Sequence, residues 1–281
     1  MSRIEEAIRR AKGLPGPEQP DAVPESPFMP AWPVLEPETS DHEHVPAERV
    51  SVSSEWRSRM ATGPGGDRSM IEQFTRLAAT LHQARKANAL KTVMVTSATP
   101  GDGKTFTACN LAYVMAETYG YRVLLVDADL RRPSISGMIK LPEGVGLGEA
   151  LKATSPQKLA LAQLTPRLTF LPAGRPIANS IEALVSPRMQ MILEEASTKF
   201  DWIILDAPPV APTSDARLLS KMVDGTLFVI RAGKTQHADV QKSIDMVGRD
   251  HILGVVLNDV VADVADKYYY YSVGDDSKTQ R

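Results

Sequence analysis

The chain has 281 residues, a formal net charge of -2 and 43% hydrophobic residues. That is enough material for one sizeable core, and it gives no electrostatic basis for nucleic acid as the main ligand. Its one cysteine, Cys109, excludes an internal disulfide and a cysteine cluster for metal, while no apolar run approaches a membrane span and no secretory leader is visible.

In chain order, Ser2-Arg3-Ile4-Glu5 has the form of an N-cap followed by a capping-box Glu. Ile4, Ala7, Ile8 and Ala11 share one face, so residues 1–12 read either as a short amphipathic helix or as a frayed basic terminus. Ten of the 21 prolines fall between Gly13 and Pro64 without sustained periodicity, which predicts a Pro-rich disordered linker over residues 13–66 containing the isolated aromatics Phe28 and Trp32.

A folded domain is predicted over residues 67–262. It starts near Ser69 with helical spacing at Ile71, Phe74, Leu77, Ala78 and Leu81, and that helix is expected to stop before the turn-like Lys86-Ala87-Asn88. Strands are predicted at Thr92–Val95, Val123–Val126, Leu168–Leu171, Trp202–Leu205, Thr226–Ile230 and Ile252–Leu257. Helices are predicted at Thr105–Glu117, Ser180–Ser197, Ser214–Met222 and Asp239–Val247. Solid apolar strands alternating with helices indicate an α/β fold with a mostly parallel central sheet flanked by helices on both faces. Residues 263–281 are expected to form a flexible tail, and Tyr268, Tyr269, Tyr270 and Tyr271 in it account for four of the seven tyrosines. A run of phenols on a polar tail is a candidate substrate.

The first strand leads into Ala98-Thr99-Pro100-Gly101-Asp102-Gly103-Lys104-Thr105, which then opens a helix. This is a P-loop with Ala in place of the usual first Gly. Backbone N–H groups of Gly101 to Thr105 and the helix terminus can cradle phosphates, Lys104 can reach the β and γ phosphates, and Thr105 can offer its hydroxyl to magnesium. Pro100, Gly101, Asp102, Gly103, Lys104, Thr105 and Phe106 are therefore the candidate nucleotide-binding run, with ATP and Mg2+ as the expected ligands.

Two carboxylate stations follow. Asp127 and Asp129 stand at the carboxyl end of one buried strand and Asp206 at that of another, the edge where ligands sit in open α/β sheets. Asp206 is expected to hold magnesium, Asp127 to support the metal or its waters, and Asp129 to accept the proton of an attacking hydroxyl. Arg131 and Arg132 either neutralise transferring phosphate, meet a neighbouring molecule, or form a solvated positive corner. Asn258, directly after a strand, reads as an adenine contact or as an ordinary turn residue.

Together these residues resemble the bacterial tyrosine kinase family of capsule and exopolysaccharide assembly over roughly residues 70–271. The resemblance rests on Ser97 to Thr105 as Walker A, Val126-Asp127-Ala128-Asp129-Leu130-Arg131-Arg132-Pro133 as the second Walker A element, and Ile204-Leu205-Asp206-Ala207-Pro208-Pro209 as Walker B. Leu171-Pro172-Ala173-Gly174, Val223-Asp224-Gly225, Val229 to Thr235 and Gly254 to Asn258 are similar to further signatures in the same order. The Ser2 to Ala7 start resembles forms encoded apart from their membrane partner in exosortase-linked systems. The resemblance implies a P-loop NTPase fold like that of partitioning ATPases and ATP-dependent autophosphorylation of Tyr268 to Tyr271, with one subunit's tail entering a neighbour's site. It also implies a transmembrane chain-length determinant as partner, a cognate tyrosine phosphatase, and a cytoplasmic protein recruited to the inner membrane face. One departure is visible: where the family often carries a Glu followed by arginines on its first helix, this chain has Thr75 and Ala78 after Glu72.

Rival readings are a deviant-Walker partitioning ATPase, a cluster-loading ATPase, a small-molecule kinase and a nucleotide-regulated adaptor. The first usually has a signature lysine where Thr99 stands, and the second needs paired cysteines. The third gives no reason for the tyrosine run, which an adaptor would use as an aromatic docking strip.

Overall fold

The computed structural model describes residues 47–49, 56, 60–63, 65–136, 139, 141, 146–153, 159–177, 180–211 and 215–260. All of them belong to one compact unit, Pro37–Arg281. The predicted helix at residues 1–12, the aromatics Phe28 and Trp32, and the tyrosines 268–271 lie outside the described residues.

In chain order the elements are β1 (Glu48–Arg49), α1 (Arg68–Asn88), β2 (Thr92–Ser97), α2 (Lys104–Glu117), β3 (Val123–Asp127), α3 (Leu147–Lys152), β4 (Ala162–Gln163) and β5 (Leu168–Leu171). They continue with α4 (Ser180–Leu184), α5 (Pro187–Lys199), β6 (Trp202–Asp206), α6 (Asp215–Leu219), β7 (Gly225–Arg231), α7 (His237–Val247) and β8 (Ile252–Asn258). The strands form one sheet in the order β1-β4-β5-β3-β6-β2-β7-β8. Every pairing is parallel except β4 with β5.

The solid apolar strands are buried on both faces because alternate residues point to opposite helix layers. Val93, Val95, Val123, Leu125 and Ile204 pack with α1 and α2 in one cluster. Met94, Leu124, Val126, Ile203 and Leu205 pack with α3 and α5 in another. The sheet is thus mostly parallel and covered on both faces, as the alternation predicts.

Differences from the sequence reading have local causes. Lys86-Ala87-Asn88 is the last turn of α1 rather than a stop, and the helix ends at Ala89, which adopts φ 54 and returns its N–H to Arg85 O. The helix expected over Ser180–Ser197 is broken in two, because Ser186 caps a new start with Pro187 at the first helical position. Order also begins well before Ser69: β1 pairs with β4, Trp56 and Met60 enter the core, and Thr62 Oγ1 donates to Asn110 Oδ1 at 3.0 Å. The disordered-linker expectation for residues 13–66 therefore fails at these positions, since isolated large apolar residues carry burial without carrying periodicity.

Candidate active site

Parallel order places three chemistry-bearing strand ends side by side. The P-loop leaves β2, Asp127 closes β3, and Asp206 closes β6, which lies between them. Asp127 is in register with Asp206 across β3 and β6, and Val95 of β2 is in register with Asp206 on the other side.

The P-loop is bent by two left-handed glycines, Gly101 at φ 88 and Gly103 at φ 99, a conformation other residues adopt only at a cost. Between them Asp102 is turned inward and buried. Its carboxylate accepts from Thr99 N at 2.9 Å, Thr99 Oγ1 at 3.0 Å and Thr235 Oγ1 at 2.9 Å. Asn258 Nδ2 donates to Asp102 O at 2.9 Å, and a Cβ on Gly103 would meet that same nitrogen at 1.9 Å. Asp102, Thr235 and Asn258 therefore hold the loop's shape. The Val229 to Thr235 segment, similar to a family signature, carried the signal for Thr235, but sequence alone did not say what it touches.

Lys104 and Thr105 open α2. Lys104 Nζ lies 3.3 Å from Asp129 Oδ2 and 3.5 Å from Asp206 Oδ1. Thr105 Oγ1 donates to Asp206 Oδ2 at 2.7 Å and lies 3.1 Å from Ser134 Oγ. Asp127 accepts from Asp129 N at 3.3 Å and Ile135 N at 3.2 Å, and Asp129 accepts from Arg132 N at 3.0 Å.

Three carboxylates thus surround one ammonium in a poorly solvated crevice. Burial, followed by the Asp206 charge, pushes the Asp127 carboxyl up to about 8. Burial also raises Asp206 against the opposing pull of Lys104 and the Thr105 hydroxyl. For Lys104, burial works to lower the ammonium, yet Asp206, Asp129 and Asp127 together raise it.

The donor set suits a divalent cation. Among the described residues no cluster of three or more His, Cys, Asp or Glu side chains is arranged to hold a metal by itself. A site built from the Thr105 hydroxyl and the Asp206 carboxylate, with Asp127 behind them, matches the sparse protein ligation of magnesium, which retains waters and takes phosphate oxygens.

Other sequence-nominated residues fall elsewhere. The Phe106 ring packs edge-on against Phe74 with centroids 6.0 Å apart, so its side chain serves the core. Arg131 Nε donates to Ser180 Oγ at 2.8 Å and Asp215 Oδ2 at 3.0 Å, tying the loop after β3 to α4 and α6. Asn258 uses one amide hydrogen on the P-loop. Thr75 Oγ1 donates back to Ile71 O at 2.7 Å, Ala78 is buried in the core, and Arg76 pairs with Glu72 on the same helix. The phenols outside residues 268–271 are engaged in the body: Tyr119 Oη donates to Thr75 O at 3.1 Å, Tyr121 Oη meets His82 Nδ1, and burial raises the Tyr113 and Tyr119 phenols.

Comparison with known proteins agrees with this geometry. A family profile described as "ParA: NUBPL iron-transfer P-loop NTPase" matches residues 88–274. The tyrosine-protein kinase YwqD of Bacillus subtilis is 34% identical over 207 residues, covering 73% of this chain and 87% of that protein. The succinoglycan biosynthesis transport protein ExoP of Rhizobium meliloti is 34% identical over 185 residues, 63% of this chain but only 23% of its own length. The solved kinase domain of the Escherichia coli tyrosine kinase ETK superposes with a TM-score of 0.67 at 27% identity, covering 76% of this chain and 89% of that one. No helix among the described residues is long and apolar enough to cross a membrane.

Proposed function

Because this chain belongs to the ParA-type P-loop NTPases and, within them, to the bacterial tyrosine kinase family, we propose that it transfers the γ-phosphoryl group of ATP to Tyr268 to Tyr271. The observation that carries the reading is the convergence of Lys104, Thr105, Asp129 and Asp206 at three adjacent strand ends. The activity is an ATP-dependent tyrosine kinase linked to exopolysaccharide or capsule production. The iron-transfer description does not extend to this chain, whose one cysteine, Cys109, is buried.

Phosphates on the P-loop draw Lys104 away from Asp129 and Asp206, freeing one carboxylate as base and the other as metal holder. Magnesium, when bound, neutralises charge developing on the β and γ phosphate oxygens. Thr105 and Asp206 hold it, with Asp127 supporting its waters. Asp129 accepts the phenolic proton as the tyrosine oxygen bonds to the γ phosphorus, and the bond from that phosphorus to the bridging oxygen of ADP breaks. Asn258 retains its carbonyl and one amide hydrogen for the adenine edge. Arg131, held by Asp215, steadies the loop that carries Asp129.

The finer division of labour is part of the same reading. Residues 1–12 and the Pro-rich stretch connect the kinase body to a transmembrane chain-length determinant at the inner membrane face, and residues 263–281 present the acceptors, in trans, to another copy. A cognate phosphatase resets them.

The test is incubation of the full chain with magnesium and ATP, with the partner's cytoplasmic peptide added if the protein alone is silent, followed by phosphosite mapping. Phosphate on residues 268–271 that vanishes in Lys104→Ala and Asp129→Asn is expected. ATP hydrolysis without phosphotyrosine, partner present, would instead place the protein among the switch ATPases.

A further inference from the structure

The hydroxyl that the kinase reading gives to magnesium has a second hydroxyl beside it. Ser134 Oγ lies 3.1 Å from Thr105 Oγ1. Thr105 spends its one hydrogen on the Asp206 carboxylate at 2.7 Å, so the hydrogen between the two hydroxyls comes from Ser134. Lys104 Nζ stands on the same oxygen at 3.4 Å. Both lone pairs of Thr105 Oγ1 are therefore engaged, one by an ammonium and one by Ser134.

The position of Ser134 is built by the loop that follows β3. Asp127 closes that loop on itself: its Oδ1 accepts from Asp129 N at 3.3 Å and its Oδ2 from Ile135 N at 3.2 Å. Asp129 Oδ1 accepts from Arg132 N at 3.0 Å inside the turn. Pro133 fixes φ immediately before Ser134, and the Ile135 side chain immediately after it is fully buried in the core. With its backbone held on both sides, half-buried Ser134 is delivered to the start of α2. Thr105 is its side-chain partner among the described residues. A serine needed only to close the turn would bond to the turn's own backbone.

Resting on the reading of Thr105 and Asp206 as the holders of magnesium, we propose that Ser134 is a positioning residue of the cation site, holding a water of the ion rather than the ion itself. Magnesium is bound through few protein groups and keeps several waters. Groups that hold a metal's ligands influence affinity along with the ligands themselves. A neutral hydroxyl is a weak competitor of carboxylate and phosphate oxygens for direct contact, but its two lone pairs suit the hydrogens of a water polarised by the ion. Without the ion, Ser134 donates to the Thr105 oxygen that the ion needs. With the ion present, Ser134 turns and accepts from the water instead.

The test reads the ion directly, on the full chain with ADP and with manganese as the probe, free manganese being followed by electron paramagnetic resonance. Ser134→Ala and Ser134→Val are expected to raise the manganese dissociation constant in the presence of ADP by about 10-fold or more. Ser134→Thr has the shape of the Ser134→Val side chain but keeps the hydroxyl, and is expected to stay within about three-fold of the parent. ADP affinity measured by calorimetry in a chelator is expected to be the same in every variant.

Ser134→Ala and Ser134→Val proteins that bind manganese like the parent overturn the proposal. So does an equal loss in Ser134→Thr and Ser134→Val, which makes space rather than the hydroxyl the cause. An ADP affinity lost equally with and without the ion overturns it too, by making Ser134 a support of the P-loop. A parent whose ADP affinity manganese does not raise removes the reading of Thr105 and Asp206 along with the proposal, whereas a parent that responds while its variants match it removes Ser134 alone.

Discussion

The carboxylate of Asp102 is expected to control nucleotide affinity through the shape of the P-loop, because its hydrogen bonds go to the protein itself. It is buried between two left-handed glycines and accepts three hydrogen bonds, from Thr99 N, Thr99 Oγ1 and Thr235 Oγ1. Asp102→Ala removes the acceptor of all three. Both hydroxyls can turn elsewhere, and Thr235 Oγ1 already has Arg231 O at 3.2 Å, but Thr99 N is left in a fixed direction with nothing to meet. Losing a charged acceptor costs about 1.5–3 kcal/mol and stranding a buried donor about 1–3 kcal/mol, terms that overlap. The expected total is about 3 kcal/mol, shared between the fold and the loop's phosphate-ready shape. Calorimetric titration with magnesium ATP should show affinity reduced by roughly 10- to 100-fold, at about 1.4 kcal/mol per decade. Urea unfolding of the nucleotide-free protein should show about 1–2 kcal/mol of lost stability. Thr235→Val removes one bond and should cost about 1 kcal/mol, and the double variant should cost less than the sum because both act on one carboxylate. A folded Asp102→Ala protein that binds ATP within about two-fold of the parent would refute this account of the loop.

Gly103→Ala places a methyl 1.9 Å from Asn258 Nδ2 at a φ of 99, so ATP binding should collapse while Gly120→Ala, a left-handed glycine remote from the loop, costs only about 1 kcal/mol of stability in the same titration and melt. At the opposite end of the sheet, burial works to raise the Asp201 carboxyl, but its hydrogen bonds from Arg122 N at 2.8 Å and from the guanidinium hold it below the ordinary range. The folded state therefore binds that proton less tightly. Its contribution, about 1–2 kcal/mol, is present above the ordinary carboxylate pKa and lost as pH falls through the lowered one, so Asp201→Asn should destabilise at pH 7 and flatten acid unfolding below pH 4. Trp56→Ala should cost about 3–5 kcal/mol in urea unfolding, as expected of a core tryptophan and not of a linker aromatic.

What could be read from sequence follows from what periodicity encodes. Val123 to Val126 and Trp202 to Leu205 announce buried parallel strands because both faces are apolar, and the acids that follow them must then stand on the ligand edge. Lys104 and Thr105 are legible because glycines and a helix start surround them. Trp56, β1 and β4 were not legible, since a single buried indole or a two-residue strand has no period to detect. The partners of Arg131 and Thr235 were equally hidden. Asp215 lies far along the chain from Arg131 and Asp102 far from Thr235, and only the strand order brings each pair together. Ala78, by contrast, was legible: its spacing with Phe74 and Leu81 puts it on the apolar face of α1, and it is buried in the core.

On the proposed function, the same crevice makes nucleotide binding the step that should precede chemistry. Among the described residues Lys104 is the ammonium paired with Asp129 and Asp206, and Thr105 spends its hydrogen on Asp206. The groups proposed as base, metal holder and phosphate binder are therefore occupied with each other. Burial and the neighbouring Asp206 charge push the Asp127 carboxyl up, which shows how poorly the crevice tolerates another negative charge without a cation. Bound triphosphate would offer Lys104 a new partner, and a divalent ion held by Thr105 and Asp206 would balance the carboxylates that Lys104 leaves. Neither ligand alone does this, because phosphate without metal adds negative charge and metal without phosphate competes with Lys104 for Asp206. On the proposed function, joint binding of ATP and magnesium would follow from how three acids and one lysine share a small, dry space, and it would release Asp129 as base when the phosphoryl donor is in position.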